Sequence, residues 1–221
     1  RQVQVHPKVG FTFAAAMRSF LRADPDVIMI GEMRDKETAD VAIEASLTGH
    51  LVLSTLHTNS APESVTRLLD FGMDPFSFSD ALLGILAQRL ARRLCPACRQ
   101  PHAASTEEIH IMLEEYCFNT PLNPDAVLQQ WHTKYAADGV FTLNSANGCE
   151  ECEGKGYKGR LGLYELLMVS PTIKRLIQTR ATVTEIAAAG MHEGMRSLKQ
   201  NGLEKVLQGH TDIYQVRAVS N

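Results

Sequence analysis

The chain has 221 residues, 44% hydrophobic and 21% charged, which is ordinary globular material with room for one or two cores. Its formal net charge of −3 leaves no overall basic field to attract nucleic acid or an anionic lipid surface. No apolar run approaches the roughly 18–20 residues of a membrane span. The opening, RQVQVHPKVG, lacks an initiator Met and the charged-then-apolar plan of a signal peptide, so the sequence reads as a piece of something longer.

Residues 11–22 are amphipathic, and Thr12 is placed to cap a helix there. Asp24-Pro25-Asp26 ends it. Val27-Ile28-Met29-Ile30 is wholly apolar, the pattern of a short strand buried on both faces of a parallel sheet. A helix over 36–48 stops at Gly49, and 51–56 reads as a second strand. Ser60, with Glu63 three residues on, opens a helix that ends at Gly72. Asp74-Pro75 reads as the start of one long helix running to about Leu94. Strands and helices alternating through short connections predict a doubly wound α/β domain, with its missing strands expected upstream of Arg1.

From Cys95 to Cys152 the apolar rhythm weakens. A helix over 105–117 with an S-x-x-E start and a shorter helix after Pro124 read as an excursion between two cysteine knuckles. Residues 157–169 look extended, and Ser170-Pro171 opens a helical tail of two or three helices. The segments divide as 1–94, 95–153 and 154–221. No repeat of 20–50 residues and no low-complexity tract interrupts them.

Four of the five cysteines form two C-x-x-C pairs, Cys95 with Cys98 and Cys149 with Cys152, a usage that suits reduced cytosol better than disulfides. Two residues between thiolates let both sulfurs reach one tetrahedral ion, and two such knuckles complete a closed, structural zinc site. Gly154 and Gly156 allow a tight turn that aims backbone N–H groups at sulfur. The alternatives are four free buried thiols or a redox pair; neither C-x-x-C opens a helix in a thioredoxin-like setting. Cys117 has no partner spacing and reads as a small apolar residue.

Glu32 follows the first apolar strand by two residues. A carboxylate delivered at the C-terminal end of a buried strand is the Walker B arrangement, where it orients or deprotonates the attacking water and helps hold Mg²⁺ through water. Many parallel strands end in an acidic residue for structural reasons alone. His50 and His57 flank the second strand, and seven residues at about 3.3 Å each put them about 23 Å apart. Ligands of open α/β sheets bind beyond the carboxyl ends of the strands. His57 therefore shares an edge with Glu32, and Thr55, Thr58 and Asn59 add polar groups suited to sensing a γ-phosphate. His50 lies on the opposite edge and reads as structural. No G-x-x-x-x-G-K-[ST] phosphate loop occurs in the 221 residues.

These blocks resemble a known family. LRADPDVIMIGEMRD (21–35) resembles the Walker B block of the secretion ATPases, the type II secretion and type IV pilus assembly motors. TGHLVLSTLHTN (48–59) is similar to their histidine box, AQRLARRLC (87–95) to the lead into their tetracysteine module, and GYKGRLGLYELL (156–167) to the segment after it. The cysteine module points to assembly motors over the retraction type. The resemblance implies a partial RecA-like P-loop ATPase core, followed by the zinc module and a small helical subdomain. It also implies a hexameric, cytoplasmic motor, peripheral at the inner membrane, that uses ATP and Mg²⁺ to drive pilin or pseudopilin assembly alongside a membrane platform and cytoplasmic adaptors. It carries over a catalytic role for Glu32 and His57. Gly31 stands where many P-loop enzymes place the Walker B Asp. Arg34 ties its loop to phosphate or a neighbouring subunit, or makes a surface salt bridge, and Arg160 sits in a Gly-Arg-x-Gly turn near nucleotide. Without a Walker A loop, the 221 residues alone are expected to be inactive.

The acidic insert 100–148 is longer and less recognisable than the family pattern leads one to expect and is assigned no role. Arg89, Arg92, Arg93 and Arg99 fall at helical spacing without interleaved aromatics, a solvated or subunit-facing stripe and not a nucleic-acid surface. The C-x-x-C-x-G-x-G text is also similar to the cysteine repeats of J-domain co-chaperones, but only one copy is complete. A zinc-stabilised interaction module without catalysis is the competing reading.

Overall fold

The computed structural model describes residues 3–220. They form two compact units: residues up to Ile85 with Met168–Ala187, and Leu86–Leu167 with residues from Ala188 on. No helix among the described residues is long and apolar enough to cross a membrane.

In the first unit, helix α1 (Phe13–Phe20) starts where the Thr12 hydroxyl accepts the Ala15 N–H. A 3-10 turn (Leu21–Ala23) carries the chain to Asp24, which is left-handed at φ 53° because Pro25 crowds the α conformation of the residue before it. Strand β1 (Val27–Ile30) leads to helix α2 (Lys36–Leu47), capped by the Asp35 carboxylate on the Thr38 N–H. Gly49, at φ 103°, turns the chain into β2 (Leu51–Ser54). The strands are parallel and in register, Val27 beside Leu51 through Ile30 beside Ser54.

Ala14, Met17, Val41 and Ala42 from α1 and α2 enclose Ile30 on one face of this pair. On the other face Val27, Met29, Leu51 and Leu53 are exposed, Met29 by 74%. The expectation of burial on both faces therefore holds for one face only among the described residues. The second strand also ends at Ser54, two residues short of its expected end, because beyond it the chain bonds to the β1 loop and leaves the regular ladder.

Helix α3 (Ala61–Asp70) is capped by Ser60, whose hydroxyl accepts the Glu63 N–H, while the Glu63 carboxylate reaches back to the Asn59 N–H. Helix α4 (Pro75–Ala81), capped by Asp74, stops after seven residues. The long helix expected to Leu94 is wrong. Gly84–Leu94 is strand β3, paired with the strand over Tyr157–Met168. Leu83, Leu86, Leu90 and Leu94 recur at three- and four-residue intervals and imitate a helical stripe, yet Leu83, Leu86 and Leu90 are exposed, while Ala91 is buried. Helix propensity here amounts to tenths of a kcal/mol per residue, and a ladder of backbone hydrogen bonds overrides it.

The second unit continues with β4 (Gln100–Ala103), α5 (Thr106–Cys117), α6 (Pro124–Tyr135), β5 (Ala136–Ala137), β6 (Val140–Ser145) and β7 (Tyr157–Met168). Strand β6 pairs antiparallel with both β4 and β5. Ser105 and Glu108 form a full capping box on α5. Among the described residues the tail holds four helices, not two or three: α7 (Pro171–Gln178) in the first unit, α8 (Val183–His192) across the division, and α9 (Leu198–Leu207) and α10 (Ile213–Val219) in the second. Left-handed residues at Arg180, Gly194 and Gly209 divide them.

The insert has a structural role that its sequence does not announce. Met112, Tyr116, Trp131 and Phe141 share one core with Leu203, Val206 and Val216 of the tail. Tyr116 meets Trp131 edge to face at 5.1 Å, its hydroxyl donates to Glu204, and Gln200 donates to its carbonyl. Arg217 pairs with Glu115. Gly202 lets α9 and α10 approach, since a Cβ there would lie 2.6 Å from Val216 Cγ1. Gly202→Ala should therefore lower thermal stability by about 1–3 kcal/mol through overpacking, although alanine favours helix by about 1 kcal/mol. Adding Val216→Ala should recover part of that loss; an equal or higher melting temperature for Gly202→Ala alone would contradict the packing argument.

Candidate functional site

Parallel pairing brings the carboxyl ends of β1 and β2 to one edge. Gly31, Glu32 and Met33 leave β1 there, and Thr55, Leu56 and His57 leave β2. The two loops are joined. The Met33 N–H donates to the Thr55 carbonyl at 3.1 Å, and the Thr55 hydroxyl donates to the Gly31 carbonyl. Glu32 consequently faces His57, with Oε1 3.0 Å from His57 Nε2, while its Oε2 pairs with the Arg34 guanidinium at 2.5 Å.

The Glu32 side chain is 21% exposed and those of its partners 85% and 75%, so the carboxylate is sheltered beneath two solvated cationic or polar groups. The hydrogen bond from Arg34 holds the Glu32 carboxyl below the usual carboxylate range, outweighing the opposing effect of desolvation, and the Arg34 and His57 charges lower it further. Arg34 is raised in turn by the same bond. At neutral pH this edge presents an ionised carboxylate able to orient water or accept its proton. Gly31 contributes its carbonyl, and a Cβ there would meet nothing within 4 Å.

His50 sits at the other end of β2. Its Nδ1 lies 3.0 Å from the Ala45 carbonyl and 3.2 Å from the Thr48 hydroxyl, closing the end of α2. Thr58 and Asn59 serve the start of α3: the Thr58 hydroxyl meets that of Ser64 at 2.6 Å, and the Asn59 N–H bonds Glu63. Of the three polar residues expected around His57, Thr55 is bonded to the loop that carries Glu32. That use of its hydroxyl was not visible in the sequence, which records no strand register.

The second unit holds the cysteine cluster. The sulfurs of Cys95, Cys98, Cys149 and Cys152 all lie within 4.8 Å of one another. Cys95 to Cys149 is 3.9 Å, Cys98 to Cys152 is 3.8 Å and Cys149 to Cys152 is 3.7 Å. A tetrahedral ion with metal–sulfur bonds of about 2.3 Å needs sulfurs about 3.8 Å apart, so the donor set fits such an ion. Backbone N–H groups of Cys149 and Gly156 point at the Cys152 sulfur, and that of Gly148 at Cys98. Gly156 is required where it stands: its φ is 75°, and a Cβ would fall 2.7 Å from that of Ala146. Burial works against a thiolate at Cys152, but the N–H donors together with the Cys149 and Cys98 thiols outweigh it and bring the thiol down to about 6. Cys117 packs against the core apart from this cluster.

The turn between α9 and α10 is fastened beside the first knuckle. Leu94 N–H donates to the His210 carbonyl at 3.0 Å, the Thr211 hydroxyl to the Arg92 carbonyl at 2.8 Å, and Arg99 to the Gly209 carbonyl at 2.7 Å. Tyr157 donates to the Asp212 carboxylate. The helical spacing read for Arg89, Arg92 and Arg93 is thus corrected, since they lie on β3, and Arg99 is spent on a carbonyl. Arg160 is exposed on β7, in the second unit, whereas Gly31, Glu32, Arg34 and His57 belong to the first.

A family model described as "Type II/IV secretion system protein" matches residues 1–218. The chain is 45% identical over 215 residues to the type IV pilus assembly ATPase PilB of Myxococcus xanthus, covering 97% of this chain and 35% of that protein. It is 44% identical over 219 residues to the type II secretion system protein E of Pseudomonas aeruginosa, covering 99% and 39%. Among solved structures, the pilus retraction motor PilT with bound ADP superposes with a TM-score of 0.60 at 25% identity, over 96% of this chain and 45% of that one. The chain thus spans between a third and two fifths of the length of these two curated relatives.

Purified protein should carry about one tightly held metal ion per chain, measured by elemental analysis. Chelation, or Cys98→Ser with Cys152→Ser, should lower the melting temperature and raise amide exchange at Leu94 and around residues 209–212. A folded, metal-free protein with unchanged exchange there would exclude the site.

Proposed function

Because the chain belongs to the type II/IV secretion system protein family, we propose that it is the catalytic-carboxylate half and C-terminal part of a hexameric motor that hydrolyses ATP to assemble pilin or pseudopilin subunits. The Glu32–His57 contact at the shared carboxyl edge of β1 and β2 carries this reading. In it, residues 1–94 supply half of a RecA-like core, 95–153 the metal module and 154–221 the C-terminal subdomain. The motor works in the cytoplasm, bound to the inner membrane through a membrane platform and cytoplasmic adaptors. The cysteine cluster, filled by zinc, favours assembly over retraction and is structural, since four thiolates leave no open coordination position.

Glu32 orients the attacking water and accepts its proton. Mg²⁺, when bound with ATP, offsets the charge spread over the transferring phosphoryl group. His57 and Arg34 now occupy both oxygens of Glu32, so one of them gives way when water takes its place, and His57 thereby reports the state of the γ-phosphate side. Gly31 and Arg34 lie along the nucleotide, and Arg160 is carried over by itself as a nucleotide-binding residue on the family resemblance. No Walker A sequence occurs in the 221 residues, and by themselves they hydrolyse nothing.

In the full-length motor, Glu32→Gln should leave ATP affinity nearly intact and slow phosphate release by at least about 100-fold, because the amide cannot accept the proton. Turnover near wild type would remove Glu32 from the chemistry.

The histidines should separate. His57→Ala is expected to cut turnover with little change in melting temperature, and His50→Ala to lower melting temperature by loosening the end of α2, with nucleotide affinity kept. A stable, assembled His50→Ala ring without hydrolysis, beside an active His57→Ala ring, would reverse the assignment.

A further inference from the structure

Strand β2 ends at Ser54 and β1 at Ile30, so the regular ladder stops before it reaches either Glu32 or His57. Something else must hold the two loops together at 3.0 Å. Two bonds that help to do so involve Thr55. Its carbonyl accepts the Met33 N–H, a bond any residue would supply. Its hydroxyl donates to the Gly31 carbonyl, a bond that needs a serine or threonine side chain. Gly31 and Met33 are the two neighbours of Glu32, so Thr55 grips the backbone on both sides of the carboxylate.

We propose that Thr55 is a positioning residue for ATP hydrolysis, its hydroxyl fixing the Glu32 loop so that the carboxylate meets His57 and the attacking water in one geometry. This inference rests on the function proposed above. A threonine hydroxyl has one hydrogen, and here it is given to the Gly31 carbonyl, which leaves none to donate to a phosphate. Thr55 therefore acts through Glu32, not by touching nucleotide, in contrast to the sensing role that its position after the strand suggests. Its β-branched side chain restricts χ1 and keeps the hydroxyl aimed. Small misplacements of a catalytic group cost large factors in rate, which is why a single loop bond on an exposed edge matters.

The test uses the full-length motor and compares Thr55→Val, Thr55→Ala and Thr55→Ser with Glu32→Gln. Thr55→Val and Thr55→Ala should each lower kcat about tenfold, with KM for ATP within about twofold of wild type and melting temperature unchanged. Thr55→Ser, which keeps the donor, should restore most of kcat. Wild-type kcat in Thr55→Val while Glu32→Gln is inactive would overturn the positioning role alone. A raised KM in Thr55→Val, rescued by Thr55→Ser, would overturn it in favour of direct nucleotide contact. Full activity in Glu32→Gln would instead remove the reading of the site on which the inference stands.

Discussion

The in-register parallel pairing of β1 with β2 is the constraint on which the candidate site depends. Neither Glu32 nor His57 lies in a strand, and 24 positions of sequence separate the loops that Thr55 joins. A slip of one residue would turn the following side chains to the opposite face, and a slip of two would carry His57 about 6.6 Å along the strand. Either would break the 3.0 Å contact. The register is set upstream, where Ile30 fills the space among Ala14, Met17, Val41 and Ala42, so packing on one face of two short strands determines electrostatics at their ends.

The second unit answers a different problem. Strands β3 and β7 are joined through a long excursion, and their shared end is closed by the cysteine knuckles, where the Cys95 N–H meets the Gly156 carbonyl at 2.9 Å. The same end receives the Gly209–Asp212 turn, whose Thr211 is fully buried and bonded. The insert adds α5 and α6 to the core that α9 and α10 need for their inward faces. A helix of about ten residues has little stability by itself, so the order of α9 and α10 depends on these tertiary contacts.

Glu32 is drawn below its normal range by a hydrogen bond from Arg34, and at this exposed edge that arrangement secures ionisation more than it secures stability. The pairs Glu115–Arg217 and Tyr116–Glu204 tie the insert to the tail. Opposite them in character is the apolar face of Val27, Met29, Leu51 and Leu53, which no described element covers. Contiguous exposed apolar surface of this kind is unusual in a finished domain.

Much was legible in the sequence where the physics is local. The caps at Thr12, Ser60, Asp74 and Ser105 each satisfy an N–H three residues away, so side-chain type and spacing were enough to find them. The two cysteine knuckles were readable for a related reason, because ligand spacing within each pair is itself the chemistry. Glu32 and His57 were found as strand-end residues on a common edge. What the sequence left open was every feature decided by distant partners. Strand β3 carries a helix-like leucine stripe and becomes a strand because β7, more than sixty residues later, completes its backbone bonds. Arg34 had three possible partners in the sequence, and the Glu32 ion pair appeared only in the fold. The insert had no recognisable purpose until its aromatic side chains met α9 and α10. Local hydrogen bonds and periodicity therefore belong to the sequence by itself, whereas register, the pairing of the loops through Thr55 and the closure of four sulfurs across fifty intervening residues belong to the tertiary structure. The reason is that long-range contacts repay their loop-closure entropy only together, as one cooperative packing, and no single residue records that outcome.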